Sequence, residues 1–239
     1  MIVDGHMHLN GTLRDPVRYP ALKDQPGASS STAFGWFGIG DRPNVDASVE
    51  ALQKRMASTP GGVQRAVNIT PGWCGWDNSY TMDALRGNES WLAAVVLVDP
   101  LSDDGPRELA RLAALGASGL RIQPPCTGPL TDPAQTPIWQ AASELDITIQ
   151  CNLPQHYLDP ASTHAQPGGR QFDTPGYAMV AQRAREFPDV QIILDHCGWM
   201  SGGDTSPPSI DAVLPLAQFP NVYAKITFPQ PAGGTKTPG

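Results

Sequence analysis

The sequence has no apolar run long enough to cross a bilayer: the longest, WLAAVVLV at 91–98, falls far short of the roughly 20 residues a spanning helix needs. Positive charge is also short, with 16 Lys+Arg against 23 Asp+Glu and a formal net charge of −7. Nucleic acid is therefore excluded as an expected partner, and a membrane surface with it. Cysteine is scarce and scattered. Cys74, Cys126, Cys151 and Cys197 form no CxxC pair, so neither a disulfide framework nor a thiolate zinc site is indicated, and reduced thiols are expected. The N-terminal stretch MIVDGHMHLNGTLRD has no basic segment leading into an apolar one, so no secretory signal is read and a cytoplasmic location is expected.

What the sequence does contain suits one large domain. Its 239 residues sit just under the roughly 250 typical of a (β/α)₈ barrel, and 40% of them are apolar, enough for a core. Short β-branched runs alternate with amphipathic stretches. Strands are predicted at Ile2–His8, Val63–Thr70, Trp91–Pro100, Ser118–Pro124, Asp146–Leu153, Val190–Gly198 and Asn221–Phe228. Between them, Val45, Val49, Leu52 and Met56 fall on one helical face. A weak helix is expected near Thr81–Arg86. Leu109, Leu112 and Leu115 are expected inside a helix capped by Ser102 or Asp103. Thr136-Pro137 and Thr174-Pro175 each offer a cap followed by proline for a helix start, and a last helix is read around Ser209–Gln218. The chain thus reads as one α/β domain over 1–228, with a Pro/Gly-rich tail at 229–239.

Seven β-α repeats imply a parallel sheet, either an open doubly wound one or a closed barrel. The glycine-rich G-x-G-x-x-G phosphate cradle of dinucleotide folds is missing after the first strand, where H-M-H-L-N-G stands instead.

Chemistry concentrates at strand ends. Asp4, His6 and His8, spaced by two, project to one face of a pleated strand. Two imidazoles there are half of a divalent-metal site of the Zn, Mn or Fe type, or else a satisfied pair of structural histidines. His196 occupies the corresponding place on the sixth strand, so three of the chain's five histidines lie at strand C-termini, where parallel α/β folds put function. Arg121 shares a face with Gly119 and Gln123, and its fork suits either bidentate capture of a substrate carboxylate or a structural ion pair. Lys225 is read chiefly as an ion-pair partner. Strict alternation turns Asp195 away from His196 and out of the barrel. Asp204 is read as a turn residue, and Trp36, Phe37, Trp73 and Trp76 either as walls of the substrate site or as a hydrophobic lid over the barrel.

Taken together, Asp4-Gly5-His6-Met7-His8, Gly119-Leu120-Arg121-Ile122, Leu194-Asp195-His196-Cys197-Gly198 and Pro220-Asn221-Val222-Tyr223-Ala224-Lys225 resemble the amidohydrolase-related family. The likeness is to its lactone-hydrolase branch, which includes fuconolactonase and pyrone-dicarboxylate lactonase, and it runs over residues 2 to about 228. It implies a TIM-type (β/α)₈ barrel, with His6 and His8 as ligands of a divalent metal, zinc first. It further implies His196 as a metal- or carbonyl-contacting catalytic group, and Arg121 and Gln150 as substrate contacts. Two departures accompany it. Gln150 stands on the fifth strand where metal-dependent members carry a histidine, which leaves a metal-independent variant open, and no eighth strand with its general-base aspartate is read.

The expected activity is opening of a small lactone or cyclic ester of an acidic or sugar-like compound by metal- or His-assisted attack of water. The alternatives are non-oxidative decarboxylation of an aromatic or unsaturated acid, and a truncated, inactive barrel. The expected partner is a small molecule, and a homo-oligomer would cover the open sheet edges.

Overall fold

The computed structural model describes residues 1–20, 46–123, 127–153, 176–199 and 213–226. Seven strands follow one another: β1 (Val3–Met7), β2 (Arg65–Ile69), β3 (Leu92–Val96), β4 (Ala117–Ile122), β5 (Thr148–Cys151), β6 (Ile192–Leu194) and β7 (Val222–Ala224). All neighbours pair in parallel and their spatial order equals their sequence order. A doubly wound sheet reverses direction at a switch point. This one never does, so of the two architectures left open by the sequence it has the winding of a barrel, with seven strands among the described residues.

Helices α1 (Val49–Ser58), α2 (Ser79–Leu85), α3 (Gly105–Ala114), α4 (Thr136–Glu144) and α5 (Gly176–Glu186) fill the crossovers. Ser48 caps α1 by accepting the Ala51 N–H, and its Leu52 and Met56 pack with Ala66, Ala84 and Leu92 under the β1–β2 end. A larger apolar cluster runs under β3 to β6 and includes Leu109, Leu112, Trp139, Ile149 and Ile192.

Several local expectations change. Leu115 is 54% exposed because a spacing of three rotates each successive leucine about 60° around the helix, and α3 ends one residue before it. The N-cap of α3 is Asp104, and that of α4 is Gln135, one residue earlier than the Thr136 expected. A short 3₁₀ turn, Leu214–Gln218, stands where the last helix was read. Thr174, Pro175 and the start of that last helix lie outside the described residues.

Two features position the site. On β1 the register with β2 advances three residues between Asp4 and Met7 against two on the partner, a bulge that re-aims the strand end. On β4, Gly119 allows close packing, since a Cβ there would lie 2.9 Å from both Thr148 Oγ1 and Val95 Cγ2.

Candidate functional site

Immediately after β6 the chain leaves the extended region. His196, Cys197 and Gly198 take φ of 54°, 52° and 69°, a left-handed run that costs L-residues about 1–3 kcal/mol each unless the surroundings hold it. Three bonds do: Cys197 N–H donates to the Lys225 carbonyl at 2.8 Å, Lys225 N–H to the Leu194 carbonyl at 2.9 Å, and the Tyr177 hydroxyl to the Gly198 carbonyl at 2.6 Å. A Cβ on Gly198 would meet Tyr177 Cε1 at 2.9 Å. The turn cancels the alternation, which corrects the outward placement of Asp195. Its side chain is completely buried, and it is the hub of the cluster.

Asp195 accepts from Arg121 Nε at 2.6 Å and from Lys225 Nζ at 2.8 Å, with His6 Nδ1 3.6 Å away. Burial alone would raise its pKa, but Arg121, His6 and Lys225 hold the carboxyl well below the usual carboxylate range. Lys225 also donates to Gln150 Oε1 at 2.6 Å and lies 3.3 Å from His6 Nδ1. Burial lowers the Lys225 pKa, against the pull of Asp195. Arg121 and Gln150 are register partners on adjacent strands.

The histidines gather beside this hub. The His6 ring lies 4.6 Å from that of His196 and 5.0 Å from that of His8. His8 Nδ1 is 2.8 Å from the Ile69 carbonyl. A carbonyl only accepts, so Nδ1 carries the proton and Nε2 presents its lone pair. Burial, then Arg121, lowers the His8 pKa to about 3, and burial, then His6, lowers that of His196 to about 4. Both imidazoles are therefore neutral near pH 7.

All five residues expected at the site are thus brought together: His6, His8, Arg121, Gln150 and His196. Asp4 is not among them; it accepts the His6 N–H at 3.1 Å. Asp195 and Lys225 are the central residues that the sequence reading underweighted, and the available signal was Gly198, whose turn breaks the period-two rule. His156, His164, Asp204, Trp36 and Phe37 lie outside the described residues. Cys74, Cys151 and Cys197 are free thiols. A cavity of about 350 Å³ between β1 and α1, lined by Met7, Leu52, Arg55 and Met56 among others, shares only His8 with the cluster.

The donor chemistry fits a divalent ion in two respects. His6 Nε2 and His8 Nε2 are 3.4 Å apart, and two nitrogens on one tetrahedral zinc at about 2.0–2.1 Å sit roughly 3.3–3.4 Å apart. The Nδ1–H of His8 is held by a carbonyl, the usual outer support of a ligating imidazole. Among the described residues, His6, Asp195 and His196 also form a group whose donor atoms lie within 4.8 Å of one another.

A family model described as Amidohydrolase matches residues 3–239. No curated protein sequence matches the chain. Among solved structures, it is similar to a probable 2-pyrone-4,6-dicarboxylic acid hydrolase from Acinetobacter baumannii with citric acid bound, at 15% identity and a TM-score of 0.67, covering 95% of this chain and 70% of that one. It is likewise similar to an amidohydrolase 2 from Bifidobacterium longum subsp. infantis, at 18% identity and a TM-score of 0.56 over 94% and 72%. A third is a 5-carboxyvanillate decarboxylase from Novosphingobium aromaticivorans with bound manganese, at 16% identity and a TM-score of 0.51 over 83% and 66%. At these identities the likenesses establish the fold. No helix among the described residues is long and apolar enough to cross a membrane.

Proposed function

The chain belongs to the amidohydrolase family, and from that membership we propose that it hydrolyses a small cyclic ester bearing a carboxylate, opening the ring by attack of water. One observation carries the reading. Two cations, Arg121 and Lys225, both pair with the buried carboxylate of Asp195 beside neutral imidazoles, a cation-rich cluster at the strand ends that favours an anionic substrate.

Each side chain has a role in this reading. Arg121 gives its Nε to Asp195, and its terminal nitrogens meet the substrate carboxylate with the Gln150 amide beside them. His196 is the catalytic group: neutral at working pH, it donates an N–H to the carbonyl oxygen as negative charge develops there. Asp195, held ionised by its two cations, is too weak a base to take a proton from water and instead positions Arg121 and Lys225. His6 and His8 would hold a divalent ion. When bound, that ion supplies Lewis acidity and a water whose pKa is lowered to about 7. Retention of metal after dialysis and loss of rate with a chelator distinguish this route from the metal-independent one.

The test is a substrate panel. 2-Pyrone-4,6-dicarboxylate and other carboxylated lactones should be opened with kcat/KM at least about tenfold above neutral lactones of similar ring size, the scale of one charge-assisted hydrogen bond. Arg121→Lys, which keeps the charge but loses the fork, should raise KM more than it lowers kcat. Preference for neutral lactones would overturn the reading. Release of CO₂ from an aromatic or unsaturated acid without ring opening would replace it with decarboxylation.

A further inference from the structure

Gln123, immediately after β4, is 1% exposed, and its amide Nε2 makes no hydrogen bond. A buried donor without a partner is costly, and native folds keep few of them. Its direction follows from its neighbours. Leu120 and Ile122 belong to the apolar cluster under the helices, so the period of two turns Arg121 and Gln123 the other way, into the barrel. On β5, Ile149 and Cys151 lie in that same cluster, which puts Gln150 and Asn152 inside. Arg121 and Gln150 are register partners, and the Asn152 N–H extends the pairing to the Ile122 carbonyl at 3.0 Å. One layer nearer the mouth, Asn152 Nδ2 donates to Gln123 Oε1 at 3.1 Å, which engages the oxygen of the Gln123 amide and leaves its nitrogen unused. Asn68 on β2 also has an unpartnered buried nitrogen, but it shares the face of Ala66, which packs with Leu52 and Met56 of α1, and so lies outside the barrel.

The two layers differ in charge. Arg121, Lys225 and Asp195 are bonded to one another, with Gln150 held by Lys225, whereas the Gln123–Asn152 layer above them is a pair of neutral amides. A neutral N–H suits a neutral acceptor better than a second carboxylate, which needs a cation to repay its loss of water. We propose that Gln123 determines specificity at this site: its Nε2 donates to a hydroxyl oxygen that the substrate carries on the mouth side of the carboxylate held by Arg121. The inference rests on the reading of the cluster as a site for carboxylated lactones. It adds that the preferred ring bears one carboxylate and a neighbouring hydroxyl, because a site with a buried donor rejects a substrate that leaves it unpaired.

The experiment compares three rings that differ at one carbon: γ-butyrolactone-γ-carboxylate and its β-hydroxy and β-carboxy derivatives. The unaltered chain should open the β-hydroxy compound with kcat/KM about tenfold above each of the others, the scale of one neutral hydrogen bond. This order does not depend on any variant folding, and equal rates or a preference for the β-carboxy compound would overturn the proposal. Gln123→Met keeps the side-chain length and removes the donor. It should lower kcat/KM for the β-hydroxy compound about tenfold and leave the unsubstituted ring unchanged. A folded variant, as judged by circular dichroism, that loses rate equally on both rings would show a structural role and overturn the proposal, as would one that keeps its preference. If none of the lactones is opened, the functional reading fails, and calorimetric Kd values for the same three compounds decide this one. Tightest binding of the β-hydroxy ring, lost in Gln123→Met, upholds it, and equal Kd values overturn it.

Discussion

At the scale of single residues, burial decides the proton inventory. His8 and His196 titrate near 3 and 4 instead of their ordinary 6.5. Between about pH 4 and 6.5 the unfolded chain therefore binds protons at these two positions that the folded chain refuses, and linkage makes stability fall as pH drops through that window. Above about pH 6.5 the contribution is fully present. The urea midpoint of the metal-free protein should decline from about pH 7 to about pH 5, with each imidazole adding up to about 1.4 kcal/mol per pH unit. His8→Gln and His196→Gln should each flatten the slope. A midpoint independent of pH over that range would contradict the buried, neutral assignment. Asp195 acts lower on the scale: its depressed pKa adds stability that is present above about pH 4 and lost on further acidification.

At the scale of elements, the end of β6 and the start of β7 act as one unit. The left-handed turn at His196–Gly198 brings Asp195 and His196 to the same site, and β7 pins that turn through the Lys225 backbone. A second clamp holds α5 to this unit. The buried Asn221 amide nitrogen lies 3.3, 3.1 and 3.0 Å from the carbonyls of Ala184, Phe187 and Val190, and its two hydrogens are shared among them. Asn221→Ala removes the donor and leaves buried carbonyls without it, a loss expected to cost about 1–3 kcal/mol. Urea denaturation checks this, and a loss below about 0.5 kcal/mol, the range of ordinary surface substitutions, would show that the clamp is dispensable.

At the scale of the whole molecule, the described strands form a curled sheet in which β1 pairs only with β2, and β7 only with β6. Apolar side chains flank both edges: Ile2 and Val3 are each 46% exposed, Tyr223 52% and Ile226 85%. Unpaired edges with apolar flanks recruit further strands. Light scattering should therefore show molecular mass rising with protein concentration, and Val3→Lys should shift the distribution towards monomer. A mass that stays monomeric across the series would contradict this.

The sequence by itself determined the order of seven strands, five helices between them, and five of the residues that meet at the strand ends, because period-two and period-3.6 patterns and caps are local signals. It determined the donor types too: histidines on the first and sixth strands, an arginine on the fourth, an amide on the fifth. Tertiary structure decided the rest. The winding that separates a barrel from a doubly wound sheet is set by which strands pair, and local patterns do not encode pairing. The direction of Asp195 depended on a left-handed turn held by Tyr177 and Lys225, residues 18 positions before it and 30 after it in sequence. Lys225 read as a plain ion-pair partner until folding set its ammonium among Gln150, Asp195 and His6, side chains from three other strands and strand ends.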